Sequence, residues 1–573
     1  MKTSHLIPYL MTIAVITGCI KEDGEPFTIE RQIHNNTIES SQKGYMYGTA
    51  QKDSIVENTF QTVIKANDLE DLDVYISLSS VYDTIDVSRN AIKQCGYVLS
   101  ETNNTPTVGG EGCTIFDQKL INWKGDTTST SLTFSGEHHG LAFNHNYFVR
   151  SYVVTTQGDT CYNPQVSQIK TVIPSNVWFR RNDANIEART EAISATTDNG
   201  LVYVYGGRGN MACYSDMWVY DSKNDTWQQK ATFNPDEANS HVLPVERCNG
   251  AAFMSYFALN NDTLMYILGG ENFNGDPTKH NFIYSLKQNR YSNGADHPQK
   301  RLYVEPFDQP RTGLVAFTIN SPGGEPFHCV GMGYLQIEGT SVRSVEPKIF
   351  NYEVGFDRLN MVLKEGTEDE YEDDGKHVHT WHTLGSLSKD GKTAIDQTAI
   401  GFYQAVAVQI NKTTAIVGSG EGSDDKYSNA FYQLSISNTL DLDMKKLPSP
   451  PAEFTPRKNA AAFYLNYTKD ASEHDKFFVG TGCDASGELL NDFWAYDFSK
   501  GTWERIADCG NVYREGAVGF KVLRVDDYFV KEFAEPQERG IVAFGKGIVP
   551  TINNPSTNTN DASVKKDVWE YLP

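Results

Sequence analysis

The stretch LVYVYGGRGNMACYSDMWVYDSKNDTW, residues 201–227, is the unit that recurs most clearly along this chain. Its landmarks are an apolar run, a glycine pair, two alternating aromatic residues and a further tryptophan: residues 201–205, Gly206-Gly207, Trp218, Tyr220 and Trp227. A second copy, VGTGCDASGELLNDFWAYDFSKGTW at residues 479–503, repeats the spacing of the acidic and aromatic positions. Strand-like runs that end in glycine turns at a regular interval predict a repeated β-sheet unit.

Glycine-containing strand ends of this kind occur six times. They are Gly206-Gly207, Gly269-Gly270, Gly331-Met332-Gly333, Gly418-Ser419-Gly420, Gly480-Thr481-Gly482 and Gly545-Lys546-Gly547, with steps of 63, 62, 87, 62 and 65 residues between their first glycines. A strand rich in small residues precedes each of them, as expected where inner strands crowd around an axis. The pattern resembles the kelch repeat, and the resemblance implies a six-bladed β-propeller over residues 175–573.

The last unit is incomplete. The run DVWEY at residues 567–571 matches DMWVY at residues 216–220, but the sequence stops at Pro573, before a tryptophan-bearing fourth strand. The run VWF at residues 177–179 stands just ahead of the first unit and can supply that strand. We therefore expect the N-terminal and C-terminal strands of the propeller to share one blade, which would close the ring and remove two exposed sheet edges.

The first 18 residues have the pattern of a signal peptide, because Lys2 precedes an apolar core at residues 6–16 that is too short to span a bilayer. The core ends in ITGC at residues 16–19, which resembles a bacterial lipobox and implies acylation of Cys19. The following IKEDGE resembles the lipoprotein export signal of Bacteroidetes, which implies a lipid anchor in the outer membrane that faces the cell exterior. Residues 19–44 are polar and lack periodicity, so we expect a flexible tether.

Residues 45–174 contain short strand-like runs separated by turn residues, which is typical of a small antiparallel β-sandwich. Leu141 and Tyr147 resemble the L-x5-Y corner of a fibronectin type III domain. The expected fold class is therefore all-β, with this sandwich followed by a six-bladed kelch-like propeller.

Composition restricts the class of partner. The 573 residues carry a formal net charge of −23, which disfavours nucleic acid and anionic lipid surfaces. Beyond Cys19, eight cysteines are scattered without a C-x-x-C pair, so neither a zinc site nor a redox motif is indicated. We predict no cofactor and no metal.

Five arginines stand at or just before the inner strands of five units: Arg189, Arg247, Arg311, Arg457 and Arg514. The fourth unit has Phe402 and Tyr403 at that place. By periodicity the guanidinium groups should surround one mouth of the central channel, where they and the two aromatic residues could bind carboxylate or hydroxyl groups. Alternatively, they tie loops together through backbone carbonyls or nearby acids such as Glu191, Glu246 and Glu515.

The third unit carries the largest insertion. An acidic run at residues 365–374 precedes His377, His379 and His382, so a metal site is conceivable. The carboxylates do not follow a known calcium-loop pattern, and a solvated loop that acts as a contact element is favoured.

Kelch propellers include galactose-oxidase-like copper enzymes and sialic acid mutarotases. No cysteine, tyrosine and histidine set of the copper type can be recognised, whereas Glu271 or Glu421, just after their glycine turns, could act as an acid or base. The leading hypothesis is a non-catalytic surface lipoprotein that binds a glycan or an outer-membrane partner protein through the propeller face. The alternative is a kelch-type enzyme that acts on an acidic sugar.

Overall fold

The computed structural model has an all-β architecture and divides into two compact units, Met1–Val177 and Trp178–Pro573. The structure describes residues 27–28, 37–47, 54–66, 72–84, 92–123, 131–142, 145–163, 166–170, 176–181, 183–222, 224–230, 245–257, 261–292, 307, 309–336, 343–345, 348–352, 361–363, 371–373, 381–386, 403–422, 426–439, 442–469, 472–524, 537–551 and 556–573. Cys19, the signal peptide and Phe402 lie outside these residues. Within the described ranges, no helix has the length and apolar character needed to cross a bilayer.

Ten strands form one connected sheet in the first unit. They are β1 (Phe27–Thr28), β2 (Thr37–Tyr47), β3 (Ser54–Ala66), β4 (Leu72–Thr84), β5 (Ile92–Ser100), β6 (Cys113–Trp123), β7 (Ser131–His138), β8 (Asn146–Thr155), β9 (Thr160–Tyr162) and β10 (Ser167–Lys170). The main path runs β1-β10-β8-β9-β2-β3-β4-β7, and β5 pairs with both β6 and β8. Pairing is antiparallel except between β1 and β10.

Buried tyrosines connect the strands of this unit. The Tyr97 hydroxyl donates to the Phe134 carbonyl at 3.0 Å and lies 3.0 Å from the Ser80 hydroxyl. The Ala142 amide donates to the Tyr147 hydroxyl at 2.9 Å. A hydrogen bond between a tyrosine hydroxyl and the backbone a few residues upstream is the contact expected of a tyrosine corner.

The segment expected to be a flexible tether, residues 19–44, contains β1 and most of β2, so that expectation is corrected. The reason is that β2 pairs with β3 over its whole length, from Thr37 opposite Lys65 to Tyr47 opposite Ile55. Ladder hydrogen bonds use backbone groups, and a strand held by them needs no alternation of apolar side chains.

The second unit contains six four-stranded antiparallel sheets, numbered here in chain order. Sheet 1 contains β12 (Ile193–Thr196), β13 (Val202–Tyr205), β14 (Met217–Asp221) and β15 (Thr226–Gln229). Sheet 2 contains β16 (Ala251–Phe257), β17 (Asp262–Leu268), β18 (Phe282–Ser285) and β19 (Arg290–Ser292). Sheet 3 contains β21 (Val315–Asn320), β22 (Pro326–Gly331), β25 (Lys348–Tyr352) and β28 (Trp381–Ser386).

The remaining sheets follow the same plan. Sheet 4 contains β29 (Val406–Asn411), β30 (Thr414–Gly418), β31 (Phe431–Ile436) and β32 (Leu442–Lys446). Sheet 5 contains β33 (Ala461–Lys469), β34 (Ser472–Gly480), β35 (Phe493–Asp497) and β36 (Thr502–Ile506). Sheet 6 contains β38 (Val518–Arg524), β39 (Gln537–Ala543), β42 (Val568–Leu572) and β11 (Val177–Arg180).

Shorter strands occupy the connections between the sheets. A three-stranded group contains β20 (Arg311–Thr312), β23 (Tyr334–Gln336) and β24 (Arg343–Val345), and a second contains β37 (Tyr513–Glu515), β40 (Lys546–Ile548) and β41 (Ser563–Val564), near a 3-10 helix at Thr559–Asp561. The insertion of the third unit forms a hairpin, β26 (Met361–Leu363) with β27 (Tyr371–Asp373), between β25 and β28. His377 and His379 lie outside the described residues, and His382 lies on β28 opposite Asn351.

Sheet 6 is built from both ends of the unit. Its strand order is β11-β42-β39-β38, so β11, which precedes sheet 1, lies beside the last strand of the protein. Trp178 of β11 is buried against Phe493 and Tyr571, with ring centroids 4.7 and 5.1 Å away, and its indole N–H donates to the Ala507 carbonyl at 2.9 Å. This is the strand pairing that the incomplete last unit predicted.

The first strand of each sheet contacts the first strand of the next. The contacts run β12, β16, β21, β29, β33 and β38 in order, and β38 also contacts β12. Small residues permit this approach: a Cβ added to Gly519 on β38 would lie 2.6 Å from the Ala462 backbone on β33. The small-residue strands identified in the sequence are therefore these inner strands.

One residue just before each inner strand has a left-handed backbone conformation and joins its neighbours in a ring of six hydrogen bonds. These residues, the axial ring, are Glu191, Asn249, Gly313, Gln404, Asn459 and Gly516, with φ between 53° and 65°. Each amide donates to the carbonyl of the preceding member at 2.8–3.0 Å, and the Glu191 amide donates to Gly516. The ring joins the residues that precede the first strands of all six sheets.

The glycine turns join neighbouring sheets. Each turn contains two consecutive residues with positive φ, and the second of the two is a glycine. These glycines are Gly207, Gly270, Gly333, Gly420, Gly482 and Gly545, at steps of 63, 63, 87, 62 and 63 residues. In sheet 1, the Gly207 amide donates to the Arg247 carbonyl of the next unit, and in sheet 6 the Gly545 amide donates to Arg189. The turn of sheet 6 is therefore Phe544-Gly545, one residue earlier than the sequence alignment placed it.

Candidate functional site

Three of the predicted arginines form the same buried ion pair in three sheets. Arg189, Arg457 and Arg514 are fully buried and donate through both terminal nitrogens to Asp216, Asp492 and Asp567, at 2.6–3.0 Å. Each also donates to a carbonyl of the glycine turn, that of Gly206, Thr481 or Phe544. The side chain therefore fastens the turn of its own sheet.

Each of these aspartates also accepts a hydrogen bond from a tryptophan two residues later, at 2.6–2.7 Å. Burial alone would raise the pKa values of Asp492 and Asp567, but the paired guanidinium groups and the indole donors lower both. The three groups form one unit of arginine, aspartate and tryptophan, and this unit depends on an ionised carboxylate.

The other two arginines are buried as well. Arg247 donates to the His280 carbonyl at 2.8 Å and lies 4.7 Å from the Phe282 ring centroid, while burial lowers its pKa to about 10. Arg311 lies 5.1 Å from the centroid of Phe307.

The expectation of a guanidinium-lined mouth is therefore corrected, since none of the five side chains is more than 2% exposed. Their observed contacts match the alternative role of tying loops together, although the acids of the three ion pairs are Asp216, Asp492 and Asp567 rather than Glu191, Glu246 and Glu515.

A different set of side chains occupies the mouth beside the axial ring. In each sheet, the residue just before the axial-ring position pairs antiparallel with the residue just after the positive-φ glycine of the turn. These mouth pairs are Thr190–Arg208, Cys248–Glu271, Thr312–Tyr334, Tyr403–Glu421, Lys458–Cys483 and Glu515–Lys546. Tyr403, predicted at this site, is therefore a mouth residue.

Amide side chains of the axial ring point their N–H groups at neighbouring residues. Gln404 Nε2 and Asn459 Nδ2 donate to Glu191 Oε1 at 3.0 and 3.2 Å, and Asn249 Nδ2 donates to the Tyr403 hydroxyl at 3.0 Å. Among the described residues, no donor contacts the three amide oxygens, and none of these oxygens is among the buried atoms without a partner. They are acceptors at the axis.

Arg208 links two carboxylates on one side of the mouth. It donates to Glu191 Oε2 at 3.1 Å and to Glu271 Oε1 at 2.6 Å, and Thr312 Oγ1 donates to the other oxygen of Glu271 at 2.9 Å. Ligand atoms of Glu191, Cys248 and Glu271 lie within 4.8 Å of one another, a spacing compatible with a metal ion. The guanidinium group of Arg208 lies between the two carboxylates and offsets one of their two negative charges.

Lys458 lies beside two tyrosine rings on the other side of the mouth. Its ammonium group lies 2.6 Å from Glu421 and 5.5 and 5.2 Å from the ring centroids of Tyr403 and Tyr427. Tyr334 donates to Glu421 at 2.9 Å and stacks on Tyr403 with centroids 4.2 Å apart. Burial alone would lower the pKa of Lys458, but its hydrogen bonds to Glu421 and Tyr427 raise it. Burial also raises the pKa of Tyr427 to about 12.

The mouth therefore offers hydrogen-bond acceptors and aromatic surface. Its cations Arg208 and Lys458 both contact glutamates. Sequence reasoning named Glu271, Glu421 and Tyr403 as candidate site residues and Glu191 only as an acid that could pair with an arginine, and it missed Arg208 and Lys458. A usable signal existed, because Arg208 stands one residue after its turn glycine, as Glu271 and Glu421 do.

Comparison with known proteins agrees with the repeat. The Kelch motif model matches residues 192–234 and 482–510, which lie in the regions of sheets 1 and 5. A search of curated proteins found no match. The second unit carries kelch motifs on a repeated four-stranded sheet, and these motifs support a kelch-type β-propeller.

Proposed function

We propose that the second unit is a closed six-bladed propeller, presented on the cell surface by a lipid anchor, and that its axial mouth binds a neutral, hydroxyl-rich glycan without catalysis. Closure is supported by the ring of six backbone hydrogen bonds and by the contact between β38 and β12. The anchor is supported by the lipobox-like ITGC at residues 16–19. The tyrosine corner at Tyr147 supports a fibronectin-III-like domain between anchor and propeller.

The observation that carries the glycan proposal is the group of three amide oxygens beside an aromatic pair. Asn249, Gln404 and Asn459 direct their N–H groups to protein atoms, which leaves their oxygens to accept hydrogen bonds from sugar hydroxyl groups. Tyr334 and Tyr403, both partly exposed, add aromatic surface for the apolar face of a sugar ring. A few polar groups and aromatic surface in a concave site are typical of small-ligand recognition.

An acidic sugar is a poorer fit than the sequence suggested. Two of the three cations among the mouth pairs, Arg208 and Lys458, already contact Glu271 and Glu421 at 2.6 Å, and the third, Lys546, donates to the Thr559 hydroxyl at 3.4 Å. At Arg208 or Lys458, a ligand carboxylate would have to displace a protein carboxylate and leave it without its partner, which is costly in a partly buried site. The same contacts occupy the two glutamates that an enzymatic mechanism would use as acid or base, and we therefore favour binding over catalysis.

The test is a titration of neutral and sialylated oligosaccharides against the full-length protein and the double variant Gln404→Ala with Asn459→Ala. Loss of two hydrogen bonds of about 1 kcal/mol each should weaken neutral-glycan binding by about 30-fold. Asn466→Ala is the matched control, because Asn466 lies exposed in the second half of the strand that Asn459 precedes. Equal affinity in the double variant and the control would refute the site.

The competing functions give different results in the same preparation. NMR of sialic acid should show no faster anomer exchange with protein than without it. Acceleration that disappears in Glu271→Gln or Glu421→Gln would instead establish the enzyme. Binding of no oligosaccharide, together with capture of an outer-membrane protein that Gln404→Ala with Asn459→Ala abolishes, would replace the glycan with a protein partner at the same mouth.

A further inference from the structure

The mouth-pair residue Cys248 faces a second cysteine, Cys213. The sulfur atoms of Cys213 and Cys248 lie 3.1 Å apart, and both side chains are buried, at 2% and 0% exposure. Cys213 lies between β13 and β14 of sheet 1, whereas Cys248 immediately precedes the axial-ring residue Asn249 of sheet 2. The pair therefore spans two neighbouring sheets.

Each cysteine is also joined to one partner of the Arg208–Glu271 ion pair. Cys213 forms an antiparallel bridge with Arg208. Cys248 exchanges two backbone hydrogen bonds with Glu271, at 3.0 and 2.9 Å. A bond between the sulfur atoms would thus fix the two backbone segments that hold this ion pair together.

We propose that Cys213 and Cys248 are the site of a disulfide cross-link between sheets 1 and 2. Sulfur atoms 3.1 Å apart need to approach by only about 1 Å to reach the bonded distance of about 2.05 Å. The inference is independent of the glycan proposal, because it needs only the sulfur positions and an oxidant.

The chemistry is thiol–disulfide exchange with a disulfide-containing oxidant. The Cys213 thiolate attacks one sulfur of the oxidant, displaces a thiolate and forms a mixed disulfide; Cys248 then loses its proton, attacks the Cys213 sulfur and displaces the second thiolate. The two cysteines lose two electrons and two protons, and the oxidant becomes two thiols. Burial of both sulfurs places this exchange before the two sheets pack together or during a transient opening.

Cys213 is the better first nucleophile. In the packed state the hydrogen bond with Cys248 lowers its pKa, burial raises it less, and Arg208 lowers it further. Of these contacts, the one with Arg208 lies within the connection of sheet 1 and does not require sheet 2, so it favours the Cys213 thiolate before the sheets pack as well.

Peptide mapping of the full-length protein tests the cross-link directly. Protein treated with oxidised glutathione is denatured in an alkylating reagent and digested without reductant. We expect one peptide that joins Cys213 to Cys248 and disappears on reduction, with two fewer alkylated thiols than in the reduced protein. Alkylation of both cysteines in the oxidised sample would overturn the proposal, and this measurement needs no variant that has to fold.

Unfolding by denaturant gives a second readout. The cross-link joins positions 35 residues apart, so oxidation should lower the unfolding equilibrium constant by about a few hundred-fold. Cys213→Ala with Cys248→Ala should lose this redox dependence. Cys329→Ala, at a buried cysteine of sheet 3, should keep it. An oxidation effect of equal size in the double variant would show that the stabilising disulfide lies elsewhere.

Discussion

His328 should make the propeller less stable in mild acid. It lies on β22 of sheet 3, is 4% exposed, and stacks on Phe253 of sheet 2 with ring centroids 4.5 Å apart. The Thr318 hydroxyl lies 2.9 Å from its Nδ1. Burial lowers the pKa of His328 from 6.5 to about 4. The neutral ring is therefore strongly preferred between the two sheets.

The sign of the pH effect follows from the lowered pKa. Above pH 6.5 both the folded and the unfolded states are neutral at this position and stability is complete. Between pH 6.5 and about 4 the unfolded state binds a proton that the folded state excludes, so stability falls. The whole difference is worth about 3 kcal/mol, and about 2 kcal/mol of it is lost by a pH of about 5.

Urea unfolding from pH 7.5 to 5 measures this loss. The range avoids the region below the ordinary carboxyl pKa of 4.5, where Glu570, whose pKa is lowered by Arg524 and Arg181 against the effect of burial, loses its own stabilising contribution. His328→Phe keeps an aromatic ring on Phe253 and should remove about 2 kcal/mol of pH dependence, whatever its stability at pH 7.5. His280→Gln changes an exposed histidine and should leave the slope intact. An undiminished slope in His328→Phe would refute the reasoning.

Three further changes test the roles of other residues. Arg457→Lys should destabilise the fold by about 3 kcal/mol because lysine cannot form the two-pronged pair with Asp492, and should leave oligosaccharide affinity unchanged; urea unfolding and titration measure the two effects. Trp178→Asp buries a carboxylate against Phe493 and should cost about 4 kcal/mol or more, so an unaltered thermal transition would contradict the packing of β11 in sheet 6. Cys19→Ser should abolish fatty-acid labelling and release the protein from membranes, whereas labelled Cys19→Ser protein would contradict the lipobox interpretation.

Much of the second unit was predictable from local signals. Paired small residues mark the inner strands, and a glycine with positive φ ends the strand after each of them, so the period could be counted in the sequence. Backbone pairing without a side-chain pattern could not be predicted. The strand β2 illustrates this, because its polar sequence gives no periodicity and its partner β3 supplies the hydrogen bonds.

The arginines were located correctly along the chain but assigned to the wrong environment. A periodic position close to the axis can face the mouth or the interior, and periodicity alone does not distinguish the two. Composition within the repeat does: Arg189, Arg457 and Arg514 occur in units that also contain an aspartate two residues before a tryptophan. The fourth unit has Phe402 in place of the arginine, and Ala430 and Tyr432 in place of the aspartate and the tryptophan. Units 2 and 3 keep the arginine without the aspartate, whereas every unit that contains the aspartate and the tryptophan also contains the arginine, which indicates a contact between the two positions.

The six positions of the axial ring fall into two groups: those where the backbone conformation determines the residue, and those where the side chain contributes contacts at the mouth. Its left-handed conformation is cheapest for glycine and next for asparagine, which occupy four of the six positions. At Gly313 and Gly516 a side chain is excluded, because an added Cβ would lie 2.3 Å from Tyr403 and 2.2 Å from Thr190.

Glu191 and Gln404 accept the conformational cost, about 1 kcal/mol each, although a smaller residue would complete the same backbone ring. What they add is the hydrogen bond between their side chains and the connection to Arg208. Backbone strain retained for side-chain chemistry marks functional sites, and here it lies beside the amide oxygens that the glycan proposal uses. We therefore expect a ligand to bind at this ring.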